Sequence, residues 1–181
     1  PRIIGHEIAG EIVEVGSGVA GLAVGDPVTA YFYLTCGRCK WCRIDREALC
    51  ENLAGFTGRN ADGGYAEYIK LPSSNFISLP EGLDYKAYPA EIGVITDALA
   101  TPLKVLKRGR VKAGETIAVF GAGGGLGIHM LMIAHWAHAR VIAVDVAVSK
   151  LDACRAAGAD ETVDATAGNV TDTLLELTGG D

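Results

Sequence analysis

Alternating apolar and polar positions dominate the first part of the chain and predict antiparallel strands. Residues 3–35 show this alternation, and Gly16 and Gly18 mark turns within it. Two later stretches, 65–71 and 76–79, follow the same pattern and predict two more strands. We therefore expect the first part of the chain to be rich in β-structure.

The apolar spacing becomes helical over residues 84–108, where we expect Pro89 and Pro102 to break the helix. After Gly109, short continuous apolar runs alternate with helical segments. This part predicts strands at 116–120, 141–145 and 162–164, and helices at 128–137, 149–157 and 169–178. Such alternation is typical of a parallel sheet covered on both faces. The fold class is therefore α/β, with a β-rich domain over 1–105 and a second domain over 106–181.

Composition narrows the possible partners and the location of the protein. The chain has 181 residues, 49% of them hydrophobic, and a net charge of −6. This acidic balance argues against nucleic acid as the main partner. No apolar run is long enough to predict a membrane span, and the N-terminus has no signal-peptide pattern. With reduced thiols, these features favour a cytoplasmic protein. Both ends look like cuts within a longer chain.

A cluster of four cysteines predicts a metal site. Cys36, Cys39, Cys42 and Cys50 follow the pattern C-x2-C-x2-C-x7-C. Four thiolates at this spacing can surround a tetrahedral zinc ion, whereas adjacent disulfides in so tight a triplet would be strained. A four-thiolate site has no open position for a substrate, so we interpret it as structural. Disulfide pairing is the remaining alternative.

A glycine-rich loop predicts a dinucleotide site. It lies between the predicted strand at 116–120 and a helix, and Gly121, Gly124 and Gly127 form a G-x-x-G-x-x-G pattern. Backbone N–H groups of such a loop can approach a pyrophosphate. Asp145, at the end of the next strand, can accept hydrogen bonds from ribose hydroxyls and repel a 2′-phosphate, which favours NAD over NADP. The alternative is a tight α/β turn with a surface Asp.

Three other residues carry possible chemistry. Asp97 is an acid within an otherwise apolar stretch, and such acids are rarely buried without a partner or a metal. It is either a ligand or a capping or exposed Asp. His6 is either a ligand or an ordinary polar residue of a strand. Lys150 either reaches the ribose beside Asp145 or is a solvated charge at a helix start.

These motifs together resemble the zinc-dependent medium-chain alcohol dehydrogenase family, and they span essentially the whole chain. In the order of the family they are Gly5-His6-Glu7, the cysteine cluster, Asp62-Gly63-Gly64-Tyr65-Ala66-Glu67, and the glycine loop followed by Asp145. The resemblance implies a partial GroES-like β-rich catalytic domain that holds two zinc ions. It implies that a partial Rossmann domain follows, which is a doubly wound parallel sheet that binds NAD.

The resemblance also implies roles for individual residues. His6, Glu7 and Asp97 match the catalytic zinc site, and Asp97 stands where many members have a Cys. The cysteine cluster matches the structural zinc ligands. The implied cofactor positions are Thr101, Gly121, Gly124, Gly125, Leu126, Gly127, Asp145 and Lys150.

The implied activity is hydride transfer from an alcohol to NAD through a zinc-bound alkoxide. The implied partners are a small-molecule alcohol, aldehyde or ketone and, for the intact protein, further copies in a homodimer or homotetramer. The first catalytic Cys of the family would precede Pro1, so we expect the piece itself to be inactive. Two alternatives stay open: a zinc-free quinone-reductase-like NAD(P)H oxidoreductase of the same fold, and a non-catalytic, zinc-stabilised binding module.

Overall fold

The computed structural model describes residues 1–180, and the chain divides into two units, Pro1–Asp97 and Ala98–Asp181. The sequence places the boundary between 105 and 106, several residues later. Residues 100–105, which lie between the two boundaries, form most of a helix that packs within the second unit.

Five short strands build the first unit. They are β1 (Ala9–Glu11), β2 (Pro27–Ala30), β3 (Tyr33–Leu34), β4 (Gly55–Phe56) and β5 (Phe76–Ser78). Strands β1, β2 and β5 form an antiparallel sheet in that order, in which Thr29 lies opposite both Ala9 and Ile77. Strands β3 and β4 form an antiparallel pair on either side of the cysteine segment. The predicted strand at 76–79 is thus confirmed, and most of 3–35 is loop between short strands.

The predicted strand at 65–71 is wrong, because this segment joins no sheet formed by residues 1–180. Alternation produces a strand only where a neighbouring strand completes the hydrogen-bond ladder. The side chains of Tyr65 and Tyr68 are 76% and 73% exposed. Instead of a ladder, the N–H of Tyr65 donates to the carbonyl oxygen of Ile4 at 3.0 Å.

Two helices occupy the predicted helical region, and the prolines act differently from the prediction. Helix α1 (Pro89–Gly93) starts at Pro89, and helix α2 (Ala100–Gly109) contains Pro102 in its first turn. A first-turn N–H has no acceptor within the helix, so a proline there costs no hydrogen bond. Pro102 therefore does not break the helix. A 3-10 turn, Val94–Thr96, follows α1 and ends at Asp97.

The second unit continues from α2 as alternating strands and helices. These are β6 (Thr116–Phe120), α3 (Gly125–Trp136), β7 (Arg140–Asp145), α4 (Leu151–Ala156), β8 (Glu161–Asp164) and α5 (Val170–Thr178). The three strands form a parallel sheet in the order β6-β7-β8. The predicted strands and helices of this region are confirmed, and α3 starts at the glycine loop itself, earlier than predicted.

The central strand β7 is buried on both faces. Side chains alternate along a strand, so Val141 and Ala143 face one way and Ile142 and Val144 the other. The first pair packs in a cluster with Leu131 of α3 and residues of α4, and the second pair packs with Val163 and partly buried residues of α5. A parallel sheet is thus confirmed, and both of its faces are covered at β7, whereas Phe120 of β6 is 65% exposed. No helix within residues 1–180 has both the length and the apolar character to cross a bilayer.

Candidate zinc and nucleotide sites

The four cysteines meet in one cluster. The Sγ atoms of Cys36, Cys39, Cys42 and Cys50 all lie within 4.8 Å of one another, and all four thiols are free. The Sγ atoms of Cys39 and Cys42 are 3.5 Å apart. Tetrahedral zinc with four thiolates holds neighbouring sulfur atoms about 3.8 Å apart, whereas a disulfide joins them at about 2 Å. The cluster therefore fits a metal ion and not disulfides.

Backbone N–H groups prepare part of this cluster for a cation. The N–H of Cys39 donates to Sγ of Cys36 at 3.4 Å, and the N–H of Cys36 donates to Sγ of Cys50 at 3.3 Å. Hydrogen bonds from the backbone of Arg38 and Cys39 lower the pKa of Cys36 to about 6. Burial raises the pKa of Cys42 to about 12. Full ionisation of four adjacent thiols requires a compensating cation, which zinc provides.

His6 and Asp97 are brought together across the sequence. Nε2 of His6 lies 2.9 Å from Oδ2 of Asp97, although the residues are 91 positions apart. Both side chains are partly exposed, at 43% and 28%. Ligand atoms on a tetrahedral zinc lie about 3.4 Å apart for typical Zn–N and Zn–O bonds. If the two side chains moved slightly apart, a zinc ion would therefore fit between their ligand atoms.

Strand β2 positions this pair through Ala30. The N–H of Ala30 donates to the carbonyl oxygen of Ile8 at 3.1 Å, which fixes the segment that carries His6. The hydroxyl of Thr96 donates to the carbonyl oxygen of Ala30 at 2.9 Å, which fixes the turn that ends at Asp97. Two buried contacts on one residue thus align both members of the pair.

Glu7 directly follows His6 in the chain, but its side chain does not join the pair in a cluster of ligands. Glu7 is exposed. Within residues 1–180, the cysteine cluster is the one set of three or more possible ligands whose donor atoms all lie within 4.8 Å of one another. The structure thus brings His6 and Asp97 together and leaves Glu7 outside a three-ligand cluster.

The glycine loop occupies the predicted turn between β6 and α3. The N–H groups of Ala122 and Gly124 donate to the carbonyl oxygens of Val144 and Gly121 at 3.2 and 3.0 Å. The next N–H groups, of Gly125, Leu126 and Gly127, form the first turn of α3 and have no acceptor within the helix. An anionic group is favoured at such a helix start.

Asp145 ends β7 beside this loop. Its Oδ1 accepts from the N–H of Ala147 at 2.8 Å, and its Oδ2 accepts from the N–H of Gly123 at 2.7 Å. These two donors, that of Ala147 first, hold the pKa of Asp145 below its usual value. The positive charge of Lys150 contributes to the same shift. Asp145 is therefore an ionised and oriented acceptor at the carboxyl end of the sheet.

The two remaining predicted cofactor residues, Lys150 and Thr101, lie at the starts of helices α4 and α2. Lys150 is exposed and ends the 3-10 turn that precedes α4. Thr101 lies in the first turn of α2 and is partly buried. The sequence pattern missed Gly123 altogether, because the glycine spacing of the motif treats it as a spacer. Its hydrogen bond to the carboxylate of Asp145, at the end of the next strand, becomes visible only in the fold.

Comparison with known proteins shows which class of protein the chain matches. The family model for the alcohol dehydrogenase GroES-like domain matches residues 1–81, and the model for zinc-binding dehydrogenase matches residues 125–181. An alcohol dehydrogenase of Geobacillus stearothermophilus is 40% identical over 162 residues, which are 88% of this chain and 46% of that protein. An L-threonine 3-dehydrogenase of Shewanella frigidimarina is 35% identical over 178 residues, which are 98% of this chain and 50% of that protein.

A solved structure agrees with these matches. The alcohol dehydrogenase of Aeropyrum pernix superposes with a TM-score of 0.88 at 36% identity, covering 99% of this chain and 52% of that one. The chain therefore belongs to the zinc-dependent medium-chain alcohol dehydrogenase family, and the predicted α/β fold of GroES-like and Rossmann parts is confirmed. The chain spans about half the length of the relatives that it matches.

Proposed function

We propose that the protein containing this chain is a zinc-dependent alcohol dehydrogenase that transfers a hydride from an alcohol to NAD. The pairing of His6 with Asp97 carries this proposal. A neutral imidazole nitrogen and a carboxylate oxygen are both zinc ligands, and here they lie 2.9 Å apart within the unit that also contains the cysteine cluster. That combination fits one catalytic and one structural metal site.

Each residue of the pair has a definite task. His6 supplies a neutral nitrogen ligand, and Asp97 supplies a negative charge that offsets part of the metal charge. Bound zinc supplies a Lewis acid that lowers the pKa of an alcohol hydroxyl and stabilises negative charge on its oxygen. The ring of Phe32 lies 5.0 Å from that of His6 and restricts the orientation of the imidazole. Glu7 is proposed as a neighbour of this site that approaches the metal only after a rearrangement.

The second unit supports NAD as the cofactor. The free N–H groups at the start of α3 suit a pyrophosphate, and the carboxylate of Asp145 suits the hydroxyls of the adenosine ribose. The negative charge of Asp145 disfavours the 2′-phosphate of NADP. Lys150 and Thr101 are proposed as further cofactor contacts, the first with the ribose and the second with the nicotinamide.

The cysteine cluster is proposed as the structural zinc site. Its four thiols are free, which suits a reducing compartment and supports a cytoplasmic location. The proposed substrates are small alcohols and the matching aldehydes or ketones. The proposed assembly of the intact protein is a homodimer or homotetramer.

Substitution of Asp97 tests the proposed function in the full-length protein. Asp97→Ala is expected to lower the rate of alcohol oxidation with NAD by at least about a hundredfold and to leave one zinc ion per chain bound at the cysteines. Asp172→Ala, an exposed acid in the first turn of α5, is the matched control and is expected to retain activity and both zinc ions. Zinc is measured by metal analysis and activity by formation of NADH.

Two results would contradict this function. Full activity of Asp97→Ala would remove Asp97 from the metal site. Reduction of quinones with NADPH by a zinc-depleted wild-type protein, without alcohol oxidation, would instead identify a quinone-reductase-like enzyme of the same fold.

A further inference from the structure

The glycine loop contains one residue more than the common G-x-G-x-x-G pattern, and its N–H groups have different kinds of partner. Most N–H groups of the loop fall into two sets. Those of Ala122 and Gly124 bond to backbone carbonyls, and those of the first turn of α3 remain for a ligand. Gly123 belongs to neither set, because its N–H donates to a side chain, Oδ2 of Asp145.

This hydrogen bond fixes the carboxylate of Asp145 in one orientation. The bond to Gly123 is 2.7 Å long, and a 2.8 Å bond from the N–H of Ala147 holds the other oxygen. Asp145 is only 7% exposed, so water cannot readily replace these donors. A carboxylate offers about four lone-pair positions, and two remain to accept from further hydroxyl groups. The fixed carboxylate thus presents acceptors, and no donor, to an incoming ligand.

The absence of a side chain at Gly123 matters as well. A Cβ built at this position would lie 2.7 Å from Cβ and 2.7 Å from Cδ of Lys150, and 3.2 Å from Oδ2 of Asp145. The stem of Lys150 therefore passes directly over Gly123. A methyl group there would displace this stem and push against the carboxylate. Both charged groups of this corner depend on a bare glycine.

We propose that Gly123 is a positioning residue that sets cofactor specificity: its N–H and its missing side chain hold Asp145 and Lys150 in an arrangement that accepts a free ribose 2′-hydroxyl and rejects a 2′-phosphate. This rests on the proposed use of NAD. A carboxylate held in place cannot turn away from a phosphate, so the repulsion between the two negative groups persists. Once the bond from Gly123 is broken, the carboxylate can rotate, and the discrimination weakens.

The test compares two glycine substitutions in the full-length protein. The dissociation constants of NAD and NADP are measured by titration calorimetry for the wild type, Gly123→Ala and Gly168→Ala. We expect the ratio of the NADP constant to the NAD constant to fall by up to about tenfold in Gly123→Ala, because the new methyl group keeps the N–H but pushes the carboxylate and the Lys150 stem away and so weakens a hydrogen bond to a charged group. Gly168, in the loop between β8 and α5, is the matched control, because a Cβ there meets nothing within 4 Å. We expect its ratio to remain that of the wild type.

Each result decides between specificity and mere structural support. An equal rise in both constants in Gly123→Ala, with an unchanged ratio, would show that Gly123 only stabilises the loop and would overturn the proposal. If the wild type prefers NAD and Gly123→Ala has the same two dissociation constants as the wild type, the proposal is overturned too, while the proposed function remains intact. A wild type that binds neither dinucleotide would contradict the proposed function, and this proposal with it.

A measurement on the wild type covers the case in which Gly123→Ala does not fold. The amide hydrogen of Gly123 is expected to exchange slowly with solvent in the wild type and to lose this protection in Asp145→Ala. Rapid exchange in the wild type would show that the N–H is not held by the carboxylate, and would overturn the proposal.

Discussion

A methyl group at Gly127 is expected to destabilise the second unit, because this residue is in close contact with the backbone of the glycine loop. In Gly127→Ala, the new Cβ would lie 2.3 Å from the carbonyl oxygen of Gly121, and 2.6 and 2.7 Å from the carbonyl oxygen and Cα of Ala122. Ordinary contact begins at 3.4 Å, so the oxygen of Gly121 and the helix must separate by 3.4 − 2.3 = 1.1 Å. All three obstructing atoms are backbone, and no side-chain rotation can relieve the overlap.

The expected size follows from two opposing effects. Alanine in place of glycine favours a helix by about 1 kcal/mol. Overpacking of a filled site costs about 1–3 kcal/mol and occasionally more. Ala122 is fully buried and its N–H bonds to Val144 at 3.2 Å, so the loop cannot retreat and the cost lies at or above the upper end of that range. The net loss is therefore at least about 2 kcal/mol in the free energy of unfolding.

Urea unfolding of the full-length variants measures this loss, and Gly125→Ala is the matched control for stability. Gly125 lies in the same turn of α3, but a Cβ there meets nothing within 4 Å. Its stability is expected to stay the same or to rise by up to about 1 kcal/mol. Equal stabilities of Gly127→Ala and Gly125→Ala would show that α3 can move away from the loop, and would refute the reasoning.

Two further predictions concern the cysteine cluster and Asp145 of the nucleotide site. Cys39→Ser is expected to lower the zinc content by one ion per chain and to lower the melting temperature, because three thiolates no longer close the site. Cys154→Ser, in the buried core, should lose stability but no zinc, and an unchanged zinc content in Cys39→Ser would contradict the assignment. The lowered pKa of Asp145 means that its stabilising contribution is complete above its usual pKa of 3.8 and is lost as pH falls through the lower native value. The stability difference between wild type and Asp145→Ala should therefore stay constant from about pH 8 to pH 5, and an inflection near neutral pH in unfolding curves would contradict this.

The elements of the second unit could be predicted because their signals are local. A parallel strand buried on both faces needs a continuous apolar run, and β7 has one. The glycine loop follows β6 and Asp145 ends the neighbouring parallel strand β7, so their place at one edge of the sheet follows from the topology. The cysteine cluster could be predicted for the same reason, because its ligands lie within one short segment.

The failures concern features that depend on distant parts of the chain. Residues 65–71 have the alternation of a strand but no partner strand within residues 1–180, and alternation carries no information about partners. Pro102 was expected to break a helix, because the pattern alone does not show that the helix begins just before it. The role of Gly123 depends on a hydrogen bond to Asp145, 22 positions away, and the spacing of the glycines does not predict this bond.

The two candidate metal sites differ in what holds their ligands, and this difference follows from the sequence separations. The cysteine ligands lie in one segment, and backbone N–H groups of that segment donate to two of the sulfur atoms. His6 and Asp97 are 91 positions apart, and Ala30 of β2 aligns both by bonding to Ile8 on one side and to Thr96 on the other. The cysteine site therefore depends on a local loop, whereas the histidine–aspartate pair exists only when the sheet and the turn after α1 are both folded. Chemistry at this pair is thus coupled to the integrity of the whole first unit, and the sequence could name its two residues but not the strand that joins them.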